Sequence, residues 1–168
     1  MYDFYSDTKT KPSKEMLEYA LGRTFGDEQK DEDPTTLELC ERVASLLGKE
    51  SAVFLPSGTM CNEIAISVQT SPGDEILCDR TCHIINFEGG APAAMSGVMI
   101  HPLDGKCGQF TEEDVSQALR PKSRHMPISR MLCAEQTVNL GGGGVWPVEK
   151  LDSVAQVAKK SGLSTHLD

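Results

Sequence analysis

Residues 52–62 read Ala52-Val53-Phe54-Leu55-Pro56-Ser57-Gly58-Thr59-Met60-Cys61-Asn62. Ala52 to Leu55 is a short apolar run, long enough for one buried strand. Pro56 ends it. Ser57-Gly58-Thr59 then leads into Met60-Cys61-Asn62-Glu63-Ile64-Ala65-Ile66, which reads as a helix. A glycine between two hydroxyl side chains therefore arrives at the first turn of a helix. Unpaired backbone N–H groups and the helix dipole favour an anion there. Gly58 lets the backbone come close to that anion, and Ser57 or Thr59 adds a hydroxyl donor. Two readings fit these residues: a phosphate cup, or an ordinary capped helix after a strand.

On the N-terminal side, residues 1–12 carry little regular pattern and read as an arm, followed by a domain over 13–168. Ser13 can cap a helix running to about Leu21. Arg23 to Asp33 is polar and loop-like. Asp33-Pro34 starts a second helix, in which Leu37, Cys40, Val43, Ala44 and Leu47 recur at helical spacing until Gly48 closes it. On the C-terminal side, Ser71-Pro72-Gly73-Asp74 is a turn. Strands are expected at Glu75–Cys78, Val98–His101, Met131–Ala134 and Leu163–Leu167. Between them, His83–Phe87 opens a helix that Gly89-Gly90 interrupts or finishes, and Thr111 caps a helix to about Leu119. Gly141–Gly144 reads as a mobile run of four glycines. A helix from Pro147 to about Lys160 puts Val148, Leu151, Val154, Ala155 and Ala158 on one face. Alternating strands and helices predict an α/β protein with a mainly parallel sheet. Ligands of such sheets sit at the carboxyl ends of the strands. Ser57-Gly58, Asp79, Glu135 and Asp168 all follow predicted strands, so one rim can collect them.

The chain has 168 residues, 39% of them hydrophobic and 24% charged, which suits a globular domain with a real core. A net charge of -9 argues against nucleic acid or an anionic membrane as partner. No apolar run approaches the roughly 20 residues of a membrane helix. The N-terminus lacks a basic segment followed by an apolar one, so no signal peptide is expected. The six cysteines form no C-x-x-C pair and no ligand cluster, which points to thiols in a reducing compartment, hence cytoplasmic, and to no metal.

Four blocks resemble the low-specificity L-threonine aldolases, pyridoxal-phosphate enzymes of the aspartate aminotransferase fold type. Ser6-Asp7-Thr8-Lys9-Thr10-Lys11-Pro12 is similar to the family's N-terminal Ser-Asp-Thr-x-Thr-x-Pro. Gly26-Asp27-Glu28 with Asp31-Glu32-Asp33-Pro34-Thr35 is similar to its acidic segment. Phe54 to Asn62 is similar to its phosphate-cup block, and His166-Leu167-Asp168 to the start of its His-x-Asp-Gly-Ala-Arg block.

The resemblance implies a three-layer α/β fold, a mainly parallel sheet flanked by helices, as in the large domain of fold type I. It implies pyridoxal 5'-phosphate, with Ser57, Gly58 and Thr59 at the phosphate. His83 would stack on the pyridine ring, Glu135 would lie near it, and Asp168 would pair with the ring nitrogen. Ser6 would bind the substrate carboxylate. His125, by its distance from Glu135, aligns with a second active-site histidine and is a candidate base beside His83. The implied reaction is retro-aldol cleavage of threonine or allo-threonine to glycine and an aldehyde. The implied assembly is a homodimer or homotetramer.

Gln136-Thr137-Val138-Asn139 and Gln29-Lys30 depart from the family's pattern. The family's Schiff-base lysine and small C-terminal domain lie beyond its Asp-Gly-Ala-Arg block. An incomplete large domain, inactive on its own, is therefore expected here. The alternatives are a β-eliminating lyase of the same fold type and a non-catalytic fragment or interaction subunit.

Overall fold

The structure, a computed structural model, describes Asp3 and residues 6–168. Of the arm and leader readings, Met1, Tyr2, Phe4 and Tyr5 lie outside the described residues. Residues 1–54 and 55–168 form two compact units.

In the first unit the chain makes a short 3-10 turn at Asp7–Lys9, then helix α1 (Lys14–Leu21) and helix α2 (Pro34–Leu47). Both helix starts are set locally. Ser13 Oγ accepts from Met16 N at 3.3 Å, and Asp33 Oδ1 accepts from Thr36 N at 2.8 Å with Pro34 in the first turn. Asp33 Oδ2 also accepts from Gly26 N at 3.0 Å, and these contacts hold its carboxyl below the usual range. A Cβ on Gly26 would lie 2.1 Å from Glu32 O, so only glycine fits this turn. The acidic block thus has a structural function: it folds the loop back onto the cap of α2. Of α2's expected apolar face, Ala44 is the residue that is buried.

The second unit runs α3 (Gly58–Gln69), β1 (Asp74–Asp79), α4 (His83–Asn86), α5 (Ala91–Ser96), β2 (Met99–Leu103), α6 (Glu112–Ala118), β3 (Ile128–Ala134), α7 (Val148–Lys160) and β4 (Ser164–Leu167). The sheet order is β2-β1-β3-β4, and every neighbouring pair is parallel. Alternation along the strands splits the core into two layers. Ile76, Cys78, Met131 and Cys133 point to one face, with Ile66 of α3, Cys82, Ile84 and Val98. Leu77, Leu132 and Ala134 point to the other, with Phe110, Val115, Trp146, Val154 and Ala158. The α/β architecture with helices on both faces of a parallel sheet is as the alternation predicts.

The expected strand at Ala52–Leu55 does not form: these residues have no regular structure. Apolar character alone does not make a strand, because its N–H and C=O groups need a partner ladder. No strand pairs with this segment among the described residues, and Val53 and Phe54 are exposed. Two smaller readings also change. Gly89-Gly90 ends one helix and starts another, since Gly90 takes a left-handed conformation (φ 76°) directly before α5. The glycine run at 141–144 is a packed turn. Gly143 N donates to Val138 O at 2.8 Å, and a Cβ on Gly141 would lie 2.4 Å from Cys107 O.

Where β1 starts, two acids are buried in strand positions. Glu75 receives a forked contact from Arg120 (Nη2 to Oε2, 3.0 Å) and Ser129 Oγ at 3.2 Å. Asp74 receives Arg130 Nε at 3.3 Å, next to the register shift between Glu75 and Ile76. Such partners are what makes a buried carboxylate tolerable.

Trp146 joins the core to the sheet rim. Its ring packs edge-on to Phe110 at 5.0 Å between centroids, and its indole N–H donates to Glu135 O at 3.0 Å. Its backbone N donates to Gln136 Oε1 at 2.9 Å. Trp146→Ala removes the largest side chain of this layer and leaves a buried carbonyl without a donor. We expect a loss of about 3–5 kcal/mol, read as a lowered urea midpoint with an unchanged slope.

Candidate functional site

A cavity of about 360 Å³ opens at the carboxyl ends of the strands, lined by Gly58, Thr59, Asn62, His83, Glu135, Gln136, Thr137 and Asp168. The sheet order explains its place. The chain leaves β1 towards β2 on one side, and β3 and β4 lie on the other. Diverging connections open a crevice at such a switch point. His83 follows β1, Glu135 follows β3 and Asp168 follows β4, so three strand ends deliver one side chain each.

The fourth wall is the start of α3. Ser57 is its N-cap, extended at φ -149°, with Oγ accepting from Met60 N at 3.1 Å. Helix geometry leaves the Gly58 and Thr59 N–H groups without intrahelical acceptors. A Cβ on Gly58 would meet no atom within 4 Å, so the missing side chain keeps this wall open. The helix is capped in the ordinary way, and its first turn borders a cavity.

One turn along α3 from Gly58, Asn62 organises a group of acids. Its Nδ2 donates to Glu88 Oε1 at 2.7 Å and to Asp168 Oδ1 at 2.9 Å. Two carboxylate acceptors fix which end of the amide is nitrogen, so Oδ1 must accept from His166 Nε2 at 2.9 Å. Burial lowers the His166 pKa, which keeps that ring neutral with its proton on Nε2. Asp168 is also held through its backbone, N to Ala134 O and O from Gln136 N, both at 2.9 Å. Its Oδ2 is buried with no hydrogen-bond partner.

His83 also lines the cavity. Its Nδ1 lies 3.0 Å from Glu88 Oε1, and Phe87 packs against it at 5.4 Å between ring centroids. Its backbone N donates to Glu135 Oε2 at 2.8 Å, while Asn139 N donates to Glu135 Oε1 at 2.8 Å. Both Glu135 oxygens are thus spent on fixing backbone. Burial raises the Glu135 pKa, and the two N–H donors oppose that shift. Two donor sets could also take a metal ion, Cys82–Glu135–Asp168 and His83–Glu88–Asp168, their ligand atoms within 4.8 Å of one another. Both sets depend on Asp168.

Gly58, Thr59, His83, Glu135 and Asp168 are therefore brought together as the sequence suggests, with Ser57 capping the helix beside them. Asp79 reaches the same rim but turns away. Its carboxylate binds Thr81 N and Oγ1 at 2.9 and 2.6 Å and Gly105 N at 2.7 Å, closing two turns. Ser6 belongs to the first unit, where its Oγ lies 2.9 Å from Thr8 Oγ1. His125 is exposed, in the loop that enters β3. The seven residues of β3 separate that loop from the cavity rim, roughly 20 Å or more along the strand. The fold of one chain does not bring His125 to the cavity. Asn62, Glu88, Gln136 and Thr137 belong to the site or its support although the sequence gives none of them a role: Asn62 ends the cup block, Gln136-Thr137 lies in the stretch that departs from the family's pattern, and Glu88 carries no motif. An Asn followed by a Glu on an otherwise apolar helix face was the available signal, since such residues are rarely buried without a purpose.

Comparison with known proteins gives a family and several relatives that cover nearly all of this chain. Residues 3–168 match the beta-eliminating lyase family. An uncharacterised Caenorhabditis elegans protein is 40% identical, covering 99% of this chain and 40% of that protein. Low-specificity L-threonine aldolase 1 of Arabidopsis thaliana is 36% identical, over 99% of this chain and 48% of its own length. The Escherichia coli K12 low specificity L-threonine aldolase is 32% identical, over 100% and 50%. The chain thus spans about half the length of the curated relatives it matches. Among solved structures, a Leishmania major threonine aldolase superposes with a TM-score of 0.68 at 26% identity, over 75% of this chain and 37% of that one. Serine palmitoyltransferase of Sphingomonas wittichii shares the fold, with a TM-score of 0.58 at 20% identity over 76% and 29%. In fold this is the N-terminal part of the fold type I large domain, as the four sequence blocks imply. With the match running through the cavity residues and every strand of the sheet, the chain belongs to the beta-eliminating lyase family, a family dependent on pyridoxal phosphate.

Proposed function

We propose that the intact protein cleaves a β-hydroxy-α-amino acid, threonine or allo-threonine, to glycine and an aldehyde with pyridoxal phosphate. In this reading the present chain supplies the phosphate cup and the partner of the ring nitrogen. One observation carries it: the cavity is bipolar. Unpaired helix N–H donors of Gly58 and Thr59 form one wall. Asp168, whose Oδ2 is buried without a hydrogen-bond partner, lines the same cavity. A molecule with a phosphate at one end and a cationic ring nitrogen at the other satisfies both, and a simple anion satisfies only one. Bound there, pyridoxal phosphate supplies a ring that accepts the electrons of the breaking bond.

The chain's own groups have separate tasks. Gly58 and Thr59 N–H hold and orient the phosphate end. Asp168, aimed by Asn62, keeps a proton on the ring nitrogen. Of the two histidines with a possible role as base, His83 lines the cavity. Its Nδ1 is engaged by Glu88, which fixes the ring plane and leaves Nε2 to exchange a proton with substrate. Lys159 and Lys160 lie in the last turn of α7, outside the cavity lining.

The test is an assay of the intact protein with pyridoxal phosphate and either threonine or allo-threonine. Glycine and acetaldehyde in equal amounts are expected. If neither substrate yields them, the aldolase reading fails, and release of pyruvate and ammonia from another amino acid would favour a β-eliminating activity.

A further inference from the structure

Cys78 of β1, Cys133 of β3 and Cys82, the residue before α4, are buried in one core layer. The reaction proposed above gives none of them a task. Cys82 Sγ lies 4.0 Å from Cys133 Sγ. Cys82 also adjoins the site. Its Sγ lies within 4.8 Å of a carboxylate oxygen of Glu135 and of Asp168, and both acids line the cavity. The next residue, His83, lines it too.

We propose that Cys82 and Cys133 are a reversible redox pair: peroxide entering by the cavity oxidises Cys82, and Cys133 closes a disulfide that draws the start of α4 towards β3. The bridge stands without the proposed function; its effect on pyridoxal phosphate rests on that reading.

The step balances. The Cys82 thiol and hydrogen peroxide give a sulfenic acid and water, as the O–O bond breaks and sulfur gives up two electrons. The Cys133 sulfur then attacks the Cys82 sulfur. The S–S bond forms, the S–O bond breaks, and the hydroxyl leaves with the Cys133 proton as a second water.

Geometry assigns the parts. Cys133 is fixed, since β3 pairs with β1 on one side and β4 on the other. Cys82 lies in the connection from β1 to the four-residue α4 and makes no side-chain cap bond there. It is the member free to move. The sulfurs must close from 4.0 Å to the roughly 2.05 Å of a disulfide, which takes a χ1 change at one or both residues. The surrounding charge selects the oxidant. Glu135 and Asp168 repel an anionic disulfide, whereas peroxide is small and uncharged. His83 carries the consequence. Its backbone N donates to Glu135 Oε2 at 2.8 Å, so movement of Cys82 disturbs the ring that lines the cavity.

The experiment uses the intact protein, reduced, freed of cofactor and treated with a chelator to keep metal from Cys82. Hydrogen peroxide is added, remaining thiols are alkylated, and peptides are mapped by mass spectrometry without reduction. A linked Cys82–Cys133 peptide pair is expected, and dithiothreitol removes it. The dissociation constant for pyridoxal phosphate rises roughly tenfold on oxidation, the scale of an ordinary coupling between sites, and returns on reduction. Pyridoxal phosphate added before the peroxide slows the bridge. Cys133→Ser gives no bridge and leaves a sulfenic acid on Cys82 that dimedone traps; Cys133→Ala serves if the serine variant does not fold. Cys61 and Cys107, both exposed, are internal controls. Their oxidation while Cys82 and Cys133 stay free thiols overturns the proposal. So does a bridge from Cys82 to Cys78, or a Cys82–Cys133 bridge that leaves pyridoxal phosphate binding unchanged in a protein that passes the aldolase assay. A failed aldolase assay beside a normal bridge overturns the reaction and leaves the redox pair standing.

Discussion

If the protein is the threonine aldolase proposed above, Asp168→Asn is expected to lower its rate of glycine release by roughly 10²–10³-fold, the range found when one preorganised electrostatic contact is lost from an active site. The change is nearly isosteric, so the cavity keeps its shape. Asn62 Nδ2 still finds an oxygen at the position of Oδ1, and the backbone pairing of residue 168 with Ala134 and Gln136 is untouched. What is lost is the negative charge on the orphaned Oδ2 side. The amide either presents a donor to the ring nitrogen or accepts from it without charge, and in both cases the protonated ring is less favoured. The loss corresponds to about 3–4 kcal/mol of transition-state stabilisation. It falls on kcat, because the phosphate end is held elsewhere, by Gly58 and Thr59. Steady-state kinetics on purified variant and parent check it. A reduction below tenfold, or an effect confined to KM, would remove Asp168 from the role of ring-nitrogen partner.

Local chemistry was legible in the sequence, and long-range assembly was not. Ser13, Asp33, Ser57 and Thr111 cap the helices their positions suggested, because a cap is decided by a hydroxyl or carboxylate and the backbone two or three residues on. The buried runs of β1 and β3 were legible because a strand covered on both faces must be apolar along its centre. Ala52–Leu55 is similarly apolar but has no partner strand among the described residues, and nothing in four residues encodes the presence of a neighbour. His125 is a candidate only through its distance in sequence from Glu135. The count crosses the whole of β3, so it leads from the cavity rim to the other end of the sheet. Asn62 was legible only as part of a motif. Its partners Glu88 and Asp168 lie 26 and 106 residues away, and only the fold shows that one amide serves both.

That amide sets the second large effect. Asn62→Asp is expected to destabilise the protein at about pH 8 by more than Asn62→Ala does and, on the proposed function, to abolish retention of pyridoxal phosphate through gel filtration. Asn62 donates two hydrogen bonds to carboxylates and accepts one from His166. Alanine deletes the donors, leaving buried acceptors unsatisfied at a cost of about 1–3 kcal/mol. Aspartate deletes the same donors and adds a third carboxylate within hydrogen-bond distance of two others. A broken buried charge network costs about 3–5 kcal/mol, and here repulsion is added to it. The cavity's acidic wall then can no longer aim a single oxygen at a ring nitrogen. Three acids in contact also bind protons that separate acids would not. The aspartate variant therefore regains stability as pH falls to about 5, while the alanine variant, which gains no ionisable group, shows no such recovery beyond the parent's. Melting curves of the three proteins at both pH values distinguish the cases. If Asn62→Asp melts no lower than Asn62→Ala at pH 8, then the carboxylates of Glu88 and Asp168 are not both charged around residue 62, and the bipolar cavity loses its negative wall.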